Sequence, residues 1–157
     1  MTSNGICIDS VLGPISLASR LVDGEEQLCG LTFAVSAVNG VATPLLQAAE
    51  RQLFEYLDGR RRVFDVPLVL EGSPFQVAVW QALHAIRYGE SRSYGEIAAA
   101  VGNPLAARAV GNACGGNPLA IIVPCHRIVA NGGKIGGFSA GLDIKRRLLA
   151  LESIKVK

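Results

Sequence analysis

A cysteine and a histidine stand side by side in the stretch IIVPCHRIVA, at residues 121–130. The thiolate form of Cys125 would be a strong nucleophile, and the adjacent imidazole of His126 could act as the base that forms it. Neighbouring residues on a straight strand point to opposite faces, but Pro124 favours a bend at this place. The pair could therefore carry out covalent chemistry at sulfur.

Two other roles for Cys125 are open on the residues alone. A cysteine among aliphatic residues is most often a small buried side chain with a structural role. A metal site would need more ligands, yet Cys114 is eleven residues away and the chain has no second Cys–His pair. We therefore predict no metal site, and the structural and nucleophilic interpretations both stay open.

A catalytic histidine usually has a third group that orients it, and Glu152 is the candidate. It follows a predicted helix around residues 142–151. A carboxylate at a helix C-terminus is disfavoured by roughly 0.3–1 kcal/mol, so Glu152 is either exposed or held by another interaction. The residues alone favour exposure. On this helix we predict three basic residues facing outward, Lys145, Arg146 and Arg147, and three apolar residues facing inward, Ile144, Leu148 and Leu151.

Capping signals predict the helices that precede the cysteine motif. Ser73 and Gln76 have the spacing of a capping box. A short helix from Tyr94 to Val101 is predicted to end at Gly102, and a second to begin at Asn103-Pro104. Ala98 lies four residues before Gly102, a spacing found in many helix-turn-helix units.

The second of these helices has small residues along much of one side: Ala106, Ala107, Ala109, Gly111 and Ala113. Such a face can approach another surface closely, and Arg108 lies in its middle. If that surface is DNA, Arg108 is the long cation that could enter a groove or the base stack. If it is a neighbouring helix, Arg108 is an ordinary surface residue.

The N-terminal part of the chain has the pattern of strands followed by a helix. Residues 6–20 predict a β-hairpin around Gly13-Pro14, and residues 28–35 a third strand. Thr43-Pro44 predicts the start of a helix that Gly59 stops. The extended, proline-broken residues 63–71 predict a linker, which divides the chain into domains 1–70 and 71–157.

The charge of the chain is unevenly distributed. Residues 1–70 hold five basic and eight acidic residues, whereas residues 71–157 hold ten basic and five acidic ones. A basic second half suits a polyanion such as nucleic acid, although an excess of this size alone favours a solvated surface. With no visible export signal, no long apolar run and four scattered cysteines, we expect a cytoplasmic protein with free thiols and no membrane association.

The motif PCHRI, within NPLAIIVPCHRIVANGGKIGGFSAG, follows SYGEIAAAVGNPLAARAVG at residues 93–111. Together these motifs resemble the O6-alkylguanine-DNA alkyltransferases, also called methylated-DNA–protein-cysteine methyltransferases, from about Phe75 to Glu152. The resemblance implies an α/β protein with a small N-terminal ribonuclease-H-like domain and a C-terminal winged helix-turn-helix domain. It implies double-stranded DNA containing alkylated guanine as the partner, no cofactor and a monomer, nucleoid-associated if the source is prokaryotic.

The resemblance also implies a reaction and roles for residues. The protein would flip O6-alkylguanine, and less well O4-alkylthymine, out of the duplex and transfer the alkyl group irreversibly to its own Cys125. His126 would deprotonate that thiol through a bound water, with Glu152 polarising the histidine. Tyr94 would donate a proton or hydrogen bond to the departing guanine, and Asn117 would brace the active-site turn.

Substrate and DNA contacts follow from the same resemblance. The carbonyls of Cys125 and Ile128 would accept from the guanine amino group, and the Ser139 N–H would bind its oxygen. Phe138 and Ala140 stand at positions that affect the tolerance of larger adducts, and the glycine-rich run would form a lid. The residues assigned to DNA are Arg108, which would fill the gap left by the flipped base in the minor groove, and Ala107, Ala109, Gly111 and Arg127.

Two rival functions make different predictions. A helix-turn-helix regulator or lesion sensor with a structural Cys125 would bind modified DNA without any change in mass. A thiol hydrolase using Cys125, His126 and Glu152 would turn over repeatedly on an ester or peptide.

Overall fold

The computed structural model describes residues 3–157 and divides the chain into two compact units, with the boundary between Leu70 and Glu71. Both helices and strands are present, so the predicted α/β fold class is confirmed. Among the described residues, no helix is long and apolar enough to cross a membrane.

The first unit is built on a three-stranded antiparallel sheet in the order β1-β2-β3. The strands are β1 (Asn4–Ser10), β2 (Gly13–Val22) and β3 (Glu25–Thr32). Ser10 pairs with Gly13, so the first turn is Val11-Leu12 and not Gly13-Pro14 as predicted. Gly13 has a φ of +96° and supplies the left-handed residue that follows this turn.

One helix covers this sheet. Helix α1 (Pro44–Leu57) begins where Thr43 accepts a hydrogen bond from the Leu46 N–H, at 3.2 Å, and it ends just before Gly59, as predicted. Its buried apolar residues pack with those of the strands, among them Leu46, Leu53, Tyr56, Ile15, Leu17 and Leu31.

The predicted linker is partly built into this unit. The Leu28 N–H donates to the Pro67 carbonyl at 2.8 Å, and the Val69 N–H donates to the Leu28 carbonyl at 3.0 Å. The proline-broken segment therefore lies along the edge of β3. The sequence did not reveal this because a short edge pairing needs only backbone groups.

The second unit is mostly helical. It contains α2 (Pro74–His84), β4 (Arg92–Ser93), α3 (Tyr94–Ala100), α4 (Ala107–Gly115), a 3₁₀ turn (Cys125–Arg127), β5 (Ile128–Val129), a second 3₁₀ turn (Asn131–Gly133) and α5 (Leu142–Leu151). Strands β4 and β5 pair in parallel, which joins the start of α3 to the segment after the cysteine motif. The Ser73–Gln76 capping box predicted for α2 is present.

The turn between α3 and α4 differs from the prediction. The Asn103 N–H donates to the Ala98 carbonyl and the Gly102 N–H to the Ala99 carbonyl, both at 3.0 Å. These two bonds form a Schellman motif, with Gly102 at a φ of +87°. Helix α4 begins only at Ala107 and its N-cap position is Ala106, so Asn103 belongs to the end of α3 and does not cap the next helix.

Candidate active site

Cys125 begins the first 3₁₀ turn and forms part of the wall of a cavity of about 170 Å³. Its residue exposure is 6%, so Cys125 is a buried residue that borders this cavity. The cavity is lined by Tyr94, Gly111, Cys114, Gly115, Cys125, Ile128, Gly137, Phe138 and Ser139. Four of the five predicted substrate contacts therefore meet around the sulfur, while Ala140 is not among the lining residues.

A strained turn delivers Cys125 to this cavity. Asn117 spans the turn: its Nδ2 donates to the Val123 carbonyl at 2.7 Å, and its Oδ1 accepts from the Leu119 N–H at 3.0 Å. Inside the turn Ile121 has a φ of +71°, which is rare for a β-branched residue. Asn117 thus holds a backbone conformation that is costly by itself.

His126 and Glu152 form a buried pair. The Nε2 atom of His126 lies 2.7 Å from Oε2 of Glu152, and both side chains are fully buried. An ionised carboxylate only accepts hydrogen bonds, so Nε2 carries the proton and Nδ1 is the basic nitrogen. Burial lowers the pKa of His126, and the Glu152 carboxylate opposes that shift.

Glu152 is also held by Arg127 and by the backbone. The Arg127 Nε donates to Oε1 at 2.7 Å, its Nη2 donates to Oε2 at 3.0 Å, and the Gly89 N–H donates to Oε1 at 3.1 Å. The Arg127 guanidinium also donates to the Ile86 carbonyl and lies over the Tyr88 ring, 5.7 Å from its centre. From the residues alone we expected Glu152, at the end of a helix, to be exposed. The side chain is buried instead, so that expectation was wrong.

The cavity raises the pKa of each acid that lines it. Burial raises the pKa of the Cys125 thiol, against the opposing effects of the Asn117 side chain and the Lys145 charge. Burial also raises the pKa of Tyr94, and it raises the pKa of Cys114 to about 12. At neutral pH the resting site therefore favours a protonated thiol and a protonated phenol.

A second, more open cavity of about 640 Å³ adjoins the first, and both are lined by Tyr94, Gly111 and Gly137. The second cavity also includes Ala107 and the exposed Arg108, in the first turn of α4. Arg108 therefore stands at an open hollow that adjoins the cavity of Cys125.

The glycine-rich loop closes one side of the Cys125 cavity. Gly136 has a φ of +70°, and a Cβ atom there would lie 3.2 Å from the Tyr94 ring and 3.3 Å from the Ala130 nitrogen. Both the backbone conformation and the close contact require glycine. The loop is thus fitted against Tyr94.

Comparison with known proteins extends this picture to most of the chain. Residues 74–154 match the family model described as the DNA-binding domain of 6-O-methylguanine DNA methyltransferase. The methylated-DNA–protein-cysteine methyltransferase of Methanosarcina acetivorans is 45% identical over 152 residues, which cover 92% of this chain and 94% of that protein. The constitutive enzyme of Bacillus subtilis is 51% identical over 140 residues, covering 88% of this chain and 85% of that protein. This chain belongs to the methylated-DNA–protein-cysteine methyltransferase family.

Solved structures agree with this assignment. The crystal structure of Mycobacterium tuberculosis O6-methylguanine methyltransferase superposes with a TM-score of 0.83 at 43% identity, covering 96% of this chain and 93% of that one. The same mycobacterial protein has been crystallised in complex with DNA, and that structure also superposes with a TM-score of 0.83. The activity predicted from the motifs, repair of O6-methylguanine by alkyl transfer to a cysteine of the same chain, is confirmed.

Two surface predictions for this methyltransferase need correction. Arg127 was predicted to contact DNA, but its side chain is 8% exposed and paired with Glu152, so it has no free guanidinium to offer a phosphate. The small-residue face of α4 is also divided: Ala113 is buried, and its carbonyl accepts from the Trp80 indole at 2.9 Å. Ala107 and Gly111 remain on the side of Arg108, and Ala109 is exposed.

Sequence reasoning missed two residues of the methyltransferase site. Lys145 was predicted to face outward, yet it is fully buried and bonded to the loops that surround Cys125. Cys114 was set aside as a metal ligand, yet it lines the same cavity as Cys125. The sequence did offer a signal for Cys114: it lies one helical turn after Gly111, and therefore on the same side of α4. No group of His, Cys, Asp or Glu in residues 3–157 is arranged to hold a metal ion.

Proposed function

We propose that Cys125 is the alkyl acceptor and that the cavity beside it receives the damaged guanine. The sulfur attacks the alkyl carbon, an S–C bond forms, and the bond from that carbon to O6 breaks. The product is a thioether, which offers no acyl carbon for water to attack. Each molecule therefore reacts once. The observation that carries the proposal is the placement of Cys125 in the wall of a cavity that adjoins the Arg108 hollow.

The proton of the thiol goes to His126. Burial raises the thiol pKa, so the thiolate has to form during the reaction with the help of a base. Nδ1 of His126 is the basic nitrogen, and Glu152 stabilises the imidazolium through the 2.7 Å contact at Nε2. A water molecule relays the proton between the sulfur and the ring, as in the chemistry that the motifs imply.

The departing guanine gains a hydrogen bond or a proton from Tyr94. Burial raises the pKa of this phenol, which keeps it protonated as a donor. The Ser139 N–H binds the guanine oxygen, and the carbonyls of Cys125 and Ile128 accept from the amino group. Each of these carbonyls already accepts one bond, from the Ile128 N–H and from Lys145, but a carbonyl oxygen has a second lone pair.

Arg108 fills the gap that the flipped base leaves. Base flipping costs a few kcal/mol, and an inserted side chain recovers part of that cost. Arg108 is exposed on α4, with Ala107 and Gly111 beside it on the same cavity, so the helix can approach a minor groove closely. O6-alkylguanine is the main substrate and O4-alkylthymine a poorer one, and Phe138 and Ala140 adjust the tolerance of larger adducts.

We further propose that the protein acts as a monomer in the cytoplasm, on the chromosomal DNA if the source is prokaryotic. The reaction needs a single copy of the site, because all the groups named above come from one chain. Sedimentation of the free protein tests the monomer, and a stable dimer would contradict it.

An intact-mass experiment tests the acceptor. We expect a gain of one methyl group after incubation with a duplex that holds a single O6-methylguanine, and the tryptic adduct on the Cys125 peptide. Cys114→Ser is the matched control, because this second thiol lines the same cavity, and it should still be methylated. A methyl group on Cys114, or methylation of Cys125→Ser, would show that the assignment is wrong.

A further inference from the structure

Lys145 is a buried cation with two partners that surround the acceptor site. It lies on α5, and its Nζ donates to the Ile128 carbonyl at 2.7 Å and to the Gly137 carbonyl at 3.0 Å. Ile128 follows the 3₁₀ turn of Cys125, whereas Gly137 belongs to the glycine-rich loop. One ammonium group thus connects three elements around the cavity.

This placement is costly. An ammonium group taken out of water loses its hydration, and two neutral carbonyls replace only part of it. Burial accordingly lowers the pKa of Lys145 to about 8. Its neighbours on α5, Arg146 and Arg147, are exposed, so Lys145 is the one of these three cations that the helix places inside.

We propose that Lys145 is a positioning residue for alkyl transfer, which ties the acceptor segment to the loop that closes the cavity and places a positive charge beside Cys125. The proposal rests on the proposed role of Cys125 as acceptor. Lys145 does not itself touch the reacting atoms. It acts through the carbonyls of Ile128 and Gly137 and through its electric field.

The charges around Lys145 support this role. Burial raises the pKa of the Cys125 thiol, and the positive charge of Lys145 opposes that rise; burial lowers the pKa of Lys145, and a thiolate at Cys125 or at Cys114 opposes that fall. The same charge lowers the pKa of His126, whose pair with Glu152 opposes that effect. The cation therefore favours the thiolate while keeping the nearby imidazole neutral and able to accept a proton.

The reaction changes this balance. A thioether carries no charge, so after transfer Lys145 stays buried without the thiolate that favoured its charged form. The site is thus better matched to the thiolate than to the product.

The test compares Lys145→Met with Arg146→Met. Methionine keeps an apolar stem but removes both donated bonds and the charge, and Arg146→Met removes one charge from an exposed neighbour. We would measure the rate at which iodoacetamide modifies the Cys125 peptide between pH 6 and pH 9.5, because this neutral reagent needs neither DNA nor guanine. We expect Lys145→Met to shift the midpoint upward and to slow the reaction at pH 7 on the order of tenfold. Arg146→Met should react as the wild type does.

Equal Cys125 profiles for the two variants would overturn the proposal, whatever their melting temperatures. If Lys145→Met does not fold, Lys145→Gln, which keeps a donor but loses the charge, is judged by the same criterion. For Lys145→Met, the single-turnover rate with a saturating O6-methylguanine duplex should fall by the same factor as the iodoacetamide rate at pH 7. If instead Cys125 is not the acceptor, the wild type fails the mass experiment on duplex DNA, while the iodoacetamide comparison still gives its own result.

Discussion

Glu152 shows how a single residue combines stability with chemistry. Its two oxygens accept from the buried side chains of His126 and Arg127 and from the Gly89 N–H. The same carboxylate thus orients the His126 imidazole, the proposed base, and neutralises the buried Arg127 guanidinium. These two duties can be separated because Arg127 contacts Glu152 and the Ile86 carbonyl but does not line the cavity.

Glu152→Gln should reduce the free energy of unfolding by about 3–5 kcal/mol, because it leaves the buried Arg127 charge without a counter-charge. Denaturant unfolding measures this loss. The double variant Glu152→Gln/Arg127→Met should recover part of it, since the uncompensated charge is gone. Strictly additive losses would contradict the coupling of these two residues.

Stability should also depend on pH through His126. Burial places its folded-state pKa below the ordinary 6.5, so the unfolded chain takes up the proton first. The contribution of His126 to the stability of the fold is fully present above about pH 6.5 and is lost as the pH falls below that value. Measured between pH 5 and pH 8, the free energy of unfolding of His126→Gln should decline less steeply with falling pH than that of the wild type. His84→Gln, a substitution of the exposed second histidine, should keep the wild-type slope, and a wild-type slope for both variants would refute the assignment.

At the scale of elements, helices α3 and α4 place three groups on two adjoining cavities. Tyr94 opens α3, Gly111 lies in the middle of α4 and Arg108 lies at its start. The Schellman turn at Gly102 ends α3, and residues 103–106 form the connection to α4 ahead of Arg108. The position of Arg108 therefore depends on how α3 ends.

Arg108→Ala should impair repair of a duplex substrate by about tenfold or more, because the cost of base flipping is then uncompensated. Its reaction with free O6-benzylguanine, which needs no flipping, should stay within about twofold of the wild type. Single-turnover rates on both substrates give this ratio. Arg146→Ala, which removes an exposed arginine from α5, should affect both substrates little. Equal losses on duplex and free base for Arg108→Ala would rule out its role in flipping.

At the scale of the whole molecule, the charge excess belongs to the second unit. Its ten basic and five acidic residues include three that are buried, Arg127, Lys145 and Glu152, so eight basic and four acidic side chains remain for the surface. The excess therefore survives folding nearly unchanged. The first unit is acidic, with eight acidic and five basic residues, and is not suited to a polyanion by charge.

The binding constant of the full chain for duplex DNA should fall by about tenfold or more between 50 and 200 mM salt, because phosphate contacts release counterions. Titrations at several salt concentrations give the slope of log K against log salt. A flat dependence would show that charge does not drive the association.

The sequence by itself determined the local features of this protein. The strands of the first unit, the helix after Thr43 and the Ser73 capping box follow from short-range patterns, because caps, turns and periodicity act over a few residues. The adjacency of Cys125 and His126, and the motifs around them, identified the chemistry and the family. Boundaries were less well predicted: the first hairpin turn and the start of α4 both lie elsewhere, because register and helix ends depend on neighbouring elements.

Only the tertiary structure decided which charges are buried. Lys145 and Glu152 were expected on the surface of the last helix, and Arg127 lies in an apolar stretch with no counter-charge near it in sequence, yet the fold places all three inside. A pattern along the chain cannot show this, because burying a charge depends on partners that are distant in sequence. Glu152 is paired 25 and 26 residues away with Arg127 and His126, and Lys145 bonds to the Ile128 carbonyl 17 residues before it.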